Sequence, residues 1–244
     1  MEAGTWLLLV LAALCFGVSK AGFSGVSLIA VFICADVFGA KESLGVVLPL
    51  LIMADFIVYP AFRKHGSWSE VWKLLPPALV GMGIAVCILT DVSNSTMRVM
   101  IGCIILVLVA LQLMRSFYRE KIEALAASRS FGYGVASAGG VATVLANAAG
   151  PIFKLYLLSI RMPKMELVGV SARFFLLVNL LKLPLNAGLN LMSKETLMIN
   201  LYLLPALVIG IYGGKWLLGK VSQKHFEWLV VIFALTAGVK MVWL

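Results

Sequence analysis

Six ionisable side chains stand in apolar surroundings in this chain: Lys20, Asp36, Asp55, Lys154, Arg173 and Lys182. Their chemistry is anion recognition and proton exchange. Lys20 opens the small-residue segment Lys20-Ala-Gly-Phe-Ser-Gly25, and Lys154 follows Asn147-Ala-Ala-Gly150-Pro151. Helix ends that meet at such breaks expose amide dipoles, which favour anions. Lys20, Lys154, Gly25 and Gly150 therefore form one candidate anion site, with Ser24, Asn147 and Thr143 as neutral donors. Two structural readings stay open beside it: the lysines could snorkel to an interface, and the neutral residues could cap the broken helices. Arg173 carries a planar fork that suits two oxygens of an oxyanion, or it pairs with Asp55 or Asp36. Asp55 and Asn179 read as a proton-coupling acid with a neutral counterpart, or Asp55 is the fixed counter-ion of a buried lysine. Asp36 is the second candidate acid. Lys182 lies near the end of its helix and is expected to snorkel.

The elements that position these groups are membrane spans. The chain is 62% hydrophobic and 13% charged, with a mean hydropathy of +1.03, which excludes a soluble domain. Apolar runs at 45–62, 74–89, 97–114, 168–185, 197–218 and 226–243 predict six spans. The stretches 6–38 and 131–160 are too long for one crossing of ~20 residues and too short for two. Each is expected to be a re-entrant hairpin, because non-helical backbone at membrane depth survives only where protein shields it or a cavity receives it. The net charge of +9 fits the enrichment of Lys and Arg in cytoplasmic loops. With hairpins, twelve basic loop residues fall on one side and four on the other; with single crossings the split is eight against seven. The hairpin arrangement places both termini outside and makes the basic surface a topology signal, with no nucleic-acid partner. Residues 1–19 carry Glu2, no basic flank before the apolar run and no small-x-small cleavage site, so they are read as structure and not as a signal peptide. Cys15, Cys34, Cys87 and Cys103 lack metal or redox spacing and are expected to be buried packing residues.

The two halves match in order. A constant offset pairs Glu42 with Glu166, Gly45 with Gly169, Asp55 with Asn179 and Pro60 with Pro184, and after a short insertion Leu74-Leu75-Pro76 pairs with Leu203-Leu204-Pro205 and Gly81 with Gly210. One hairpin plus three crossings is an odd number of passages, so the second copy enters from the opposite face. The predicted fold is an all-α integral membrane protein of two inverted repeats, each a broken-helix hairpin plus three transmembrane helices, with 1–114 and 131–244 as the repeats and 115–130 as a cytoplasmic linker. Small residues at helical spacing, Gly132, Ala136 and Gly140, and Gly210 and Gly214, serve packing within the protomer, with a homodimer face as the alternative. His65 and His225 fall in predicted loops, away from the candidate site. The HExxH, GxSxG, phosphate-loop and dinucleotide patterns are absent, so a hydrolase or an ATP-driven pump has no support and no cofactor or metal is expected.

Lys20-Ala-Gly-Phe-Ser-Gly25, Gly39-Ala-Lys-Glu-Ser43 with Val47-Leu-Pro49, and Leu145-Ala-Asn-Ala-Ala-Gly-Pro151 resemble the sulfite exporter and toluene-sulfonate uptake permease family over nearly the whole length. The resemblance implies a multi-pass permease of the bacterial cytoplasmic membrane, no enzyme, that moves small sulfur-containing anions such as sulfite or organosulfonates. The chain departs from that family in a glycine cluster reduced to Gly22 and Gly25, and in Lys154 where a small or apolar residue is expected. The expectation is a secondary transporter working by alternating access around a midplane site, with export favoured over import. An anion channel and a non-transporting accessory protein are the rival classes.

Overall fold

The computed structural model describes residues 2–117, 128–218, 220 and 223–243. Ten helices are found among them: α1 (Ala3–Lys20), α2 (Val26–Phe38), α3 (Glu42–Phe62), α4 (Trp68–Asp91), α5 (Asn94–Phe117), α6 (Arg129–Ala146), α7 (Gly150–Ser159), α8 (Lys164–Gly188), α9 (Lys194–Leu218) and α10 (Gln223–Trp243). The described residues contain no strand. Of the expected linker 115–130, residues 118–127 lie outside the described residues.

Six helices, α1, α3, α4, α5, α8 and α9, are long and apolar enough to cross a membrane. Five of them are spans that the sequence predicts, and α1 joins them. α1, an arm of the first broken stretch, has 18 residues, about 27 Å at 1.5 Å per residue. α10, at the predicted span 226–243, has 21 residues. The two arms of the first stretch are thus unequal, since α2 has 13 residues.

Burial sorts these helices into a centre and a ring. In α3 and α8, 67% and 50% of the apolar window is buried, against 28–39% in the other four. α3 and α8 pack on each other, while α1 packs on α9, α4 on α6, and α5 on α10. The α1–α9 and α4–α6 crossings are backbone to backbone. Gly17 lies against the carbonyl of Leu207, and Gly210 against that of Leu14; Gly140 lies against the carbonyl of Ala78, and Gly81 against that of Ser137. A β-carbon at any of these glycines would enter the neighbouring helix, so a residue without one is required there. Gly132 faces Tyr156, and Gly214 faces Val18 and Ala21. The small-residue stripes are thereby used inside the chain.

These contacts also fix chain direction. Trp6 meets Tyr202 edge-on at 6.0 Å and Gly17 meets Leu207 and Gly210, so α1 runs parallel to α9. Asp36, near the end of α2, reaches Arg98 at the start of α5 and Lys240 at the end of α10. α2 therefore ends at the same end of the bundle at which α1 begins. The second broken stretch starts and finishes at the other end, where Gly132 in α6 touches Tyr156 in α7. That end, at which α5 stops and α6 starts, is called the linker end below.

One expectation is corrected at this level. Cys34 is buried and Cys15 partly so, but Cys87 and Cys103 are exposed, on the outer faces of α4 and α5. Apolar surroundings in a membrane helix include the lipid side, so sequence hydropathy could not separate the two.

Gly17→Val is expected to lower the thermal stability of detergent-purified protein by the cost of overpacking, about 1–3 kcal/mol or more. Gly83→Val, where no atom lies within 4 Å of the new β-carbon, is expected to stay within about 0.5 kcal/mol. Equal melting temperatures for the two variants would show that the α1–α9 contact is not as close as described.

Candidate functional site

The first break begins where α1 stops. Lys20 is its last residue, and Gly22 follows with φ of 125°, a conformation that a side chain resists. Ser27 donates its hydroxyl proton to the carbonyl of Ser24 at 2.7 Å, tying the turn to the first residues of α2. The ammonium of Lys20 donates to Oδ1 of Asp55 on α3 and lies 5.1 Å from the ring centre of Phe175 on α8. Oδ2 of the same carboxylate accepts from Nδ2 of Asn179 on α8 at 2.7 Å. Asp55 is fully buried, and it joins α1, α3 and α8 through its two oxygens.

The second break is built around Asn147, in the left-handed conformation with φ of 50°. Its N–H bonds the carbonyl of Thr143 at 3.1 Å, and the N–H of Ala148 bonds that of Ala142 at 3.2 Å. Asparagine tolerates this conformation better than most residues do. The turn frees the side chain, whose Oδ1 accepts from Nζ of Lys182 at 2.6 Å. Lys182 also donates to the carbonyl and the hydroxyl of Thr143, both at 3.0 Å. The expectation that Lys182 snorkels is therefore wrong: the residue is 2% exposed, and its three acceptors belong to the break itself.

The two breaks face each other. A β-carbon on Gly150 would sit 3.4 Å from that of Ser24, and Lys154 on α7 donates to the carbonyl of Gly22 at 2.8 Å. Between them lies a cavity of about 80 Å³ open to water centres. One water needs roughly 10–15 Å³ by that measure, so the space admits several waters or a small polyatomic ion. Its polar wall is Lys20, Ser24, Ser27, Asp55, Thr143, Asn147, Lys154, Ser171 and Asn179, with Gly22 and Gly150, and its apolar wall includes Leu51, Val58, Leu167, Val168 and Phe175. Asp55 is the one carboxylate on this wall among the described residues. The model of the family described as sulfite exporter TauE/SafE matches residues 9–241. The chain belongs to that family. No curated protein and no solved structure matches it.

Not every candidate of the TauE/SafE protein gathers here. Lys20, Ser24, Asn147, Gly150, Lys154, Asp55 and Asn179 line the cavity. Gly25 does not: it faces Gln112 of α5 and Val230 of α10, on a smaller adjoining pocket that shares Ser24 and Lys154 with the main one. Asp36 stands apart, held by Arg98 at 3.0 Å and Lys240 at 3.5 Å. Arg173 pairs with neither aspartate and lines neither pocket. Its guanidinium turns toward the linker end, donating to the carbonyls of His65, Gly169 and Arg63, and lies 5.4 Å from the ring centre of Trp68. A cation on the last carbonyls of α3 is favoured by the helix dipole; here it fastens α8 to the α3–α4 turn. Sequence reasoning missed Lys182. The available signal was its spacing: it lies one turn beyond Asn179 on the same helix face.

In this TauE/SafE protein, Asp55→Leu leaves the Lys20 side chain, 14% exposed, without its counter-ion, a change expected to cost about 3 kcal/mol, the low end for breaking a buried pair. The double variant Lys20→Met with Asp55→Leu is expected to recover much of that loss in thermal unfolding. Additive losses would show that the pair is not coupled.

Proposed function

We propose that the protein is a secondary transporter of small sulfur-containing oxyanions such as sulfite or organosulfonates, which bind between the two breaks. The observation that carries this reading is the charge balance of the site. Lys20 and Lys154 line the cavity beside serine, threonine and asparagine side chains, and among the described residues its wall carries one carboxylate, Asp55, which is bonded to Lys20. Ionisable groups are costly in a membrane and mark ligand pathways, and ammonium groups on a cavity wall suit a small anion. The serine, threonine and asparagine groups add neutral donors. Asn179 Oδ1, buried without a partner, is an acceptor for a water or a protonated ligand oxygen. Nothing in this reading calls for covalent chemistry, so the protein is a permease and not an enzyme.

The same reading takes both broken stretches as re-entrant hairpins entering from opposite faces, in inverted repeats covering 1–114 and 131–244. The packing supports it. Asp55 and Asn179, matched by the sequence offset, are 124 residues apart and bonded to each other, as two residues on an internal two-fold axis must be able to be. The glycine crossings repeat in the same sense: the contact of Gly17 with Leu207 corresponds to that of Gly140 with Ala78, and Gly210 with Leu14 to Gly81 with Ser137. Inverted repeats allow alternating access around a midplane site. In this reading the linker end faces the cytoplasm of a bacterial inner membrane and both termini lie outside, which the bias of basic loop residues supports. Export is the favoured direction, because a potential negative inside drives an anion outward by ~2.3 kcal/mol per charge per 100 mV; Asp55 is the candidate proton-coupling group, and Asp36, far from the cavity, is not supported in that role.

The test is thermal stability of the purified protein against sulfite, sulfate, thiosulfate, sulfoacetate, taurine and chloride. A ligand at ~100 times its dissociation constant adds ~2.7 kcal/mol, so the preferred anion is expected to raise the melting temperature selectively. Lys154→Met is expected to fold and to weaken that anion by about tenfold, the weight of a charged hydrogen bond. No shift with any of these anions would overturn an oxyanion site, and flux that fails to saturate with sulfite would make the protein a channel.

A further inference from the structure

The cavity is one-sided about the proposed two-fold axis. The offset that pairs Asp55 with Asn179 also pairs Leu51 with Phe175, Val58 with Lys182 and Leu44 with Val168. Leu51, Phe175, Asp55 and Asn179 all line the cavity, so its inner part straddles the axis. Beyond them it continues only toward the linker end, past Val58 and Val168, whose counterparts Lys182 and Leu44 are outside its wall. The image of the cavity on the opposite side is filled. Leu44 is buried, its carbonyl accepts from Asn186 at 3.2 Å, and Lys182 is bonded to Thr143 and Asn147.

We propose that Lys182 is a second anion-binding residue, the ligand of the cavity that opens toward the opposite end. This deepens the transport reading above and rests on it. Three features support the assignment. Lys182 occupies the position that the two-fold maps from the wall residue Val58, so opening of the image cavity brings Lys182 to its wall as Val58 lines the present one. The residue is 2% exposed and its three hydrogen-bond acceptors are all neutral, so a small oxyanion can offer it a charged one. Asn147, one of those acceptors, also lines the present cavity, so a single side chain touches both sites. The oxyanion then passes from Lys20 and Lys154 on the linker side to Lys182 on the other, with Asp55 and Asn179 between them. In the conformation described here Lys182 is held on the second break, and that side is shut.

The experiment uses full-length protein and inorganic sulfite, in a background with the four cysteines replaced. Lys182→Gln is expected to retain a sulfite-dependent thermal shift, through Lys20 and Lys154, and to lose sulfite transport in proteoliposomes by about tenfold or more, the weight of a charged hydrogen bond. Lys182→Arg is expected to retain a measurable part of transport. Leu44→Cys is expected to react with a membrane-impermeant maleimide added at the opposite end, and sulfite is expected to slow that reaction when Lys182 is present but not in Lys182→Gln. Transport at the normal rate by Lys182→Gln, or equal sulfite protection of Leu44→Cys in its presence, would overturn this inference and leave the transport reading standing. If Lys182→Gln does not fold, the Leu44→Cys protein with Lys182 intact decides: absence of labelling, while Val168→Cys labels from the linker end, overturns the inference. Absence of any effect of sulfite on the Lys182 protein overturns both.

Discussion

The carboxylate of Asp55 is the contact on which the centre of this bundle depends. One oxygen holds the last residue of α1 and the other holds Asn179 on α8, so a single buried acid joins the first break to both central helices. Water is absent from the hydrocarbon core, and each polar group there needs a partner made of protein or ligand. Removing one partner of such a pair is far more damaging than never having built it. The position of Lys20, and with it the position of the turn through Gly22 and Ser24, therefore follows from a residue more than thirty positions away.

The second break solves the same problem differently. Where the first has a lysine bonded to an acid from another helix, the second has an asparagine bonded to a lysine from another helix. In both cases the turn is fastened to α3 or α8, the two most buried spans. The difference is in charge: the first arrangement is neutral and the second is cationic. Lys20 and Lys154 share the wall of the space between the breaks with hydroxyl and amide groups, which is the physical basis for an anion as the proposed ligand.

Much of this was legible in the sequence because membrane physics acts on composition and on breaks. Hydropathy marked the spans, and small residues inside apolar stretches marked both turns, including Gly22, Asn147 and Gly150. Asp55 and Asn179 were paired by their spacing before any geometry was known. The failures share a cause. Lys182 and Arg173 were judged by depth along a helix, which is a one-dimensional measure, whereas their roles are set by the direction in which a long side chain turns. Arg173 bends back toward the end of α3 and Lys182 toward the second break, and nothing in residue order distinguishes those directions. Cys87 and Cys103 were misjudged for a related reason, since an apolar helix has a lipid face as well as a protein face.

The glycine crossings constrain how such a bundle can move. At Gly17 and Gly210, and again at Gly81 and Gly140, backbone lies against backbone with no side chain between. Sliding of α1 on α9, or of α6 on α4, would drive β-carbons of neighbouring residues into the space that only glycine leaves free. Each broken helix is thus fixed to a helix of the other sequence half, α1 to α9 and α6 to α4. A movement that preserves this packing has to carry each pair as a unit, and the surfaces left to rearrange are those around α3 and α8, where side chains such as Leu51, Val58, Val168 and Phe175 face the cavity. In the transport reading proposed above, the charged residues would change neighbours by a shift of the two breaks relative to each other, without either turn having to unfold.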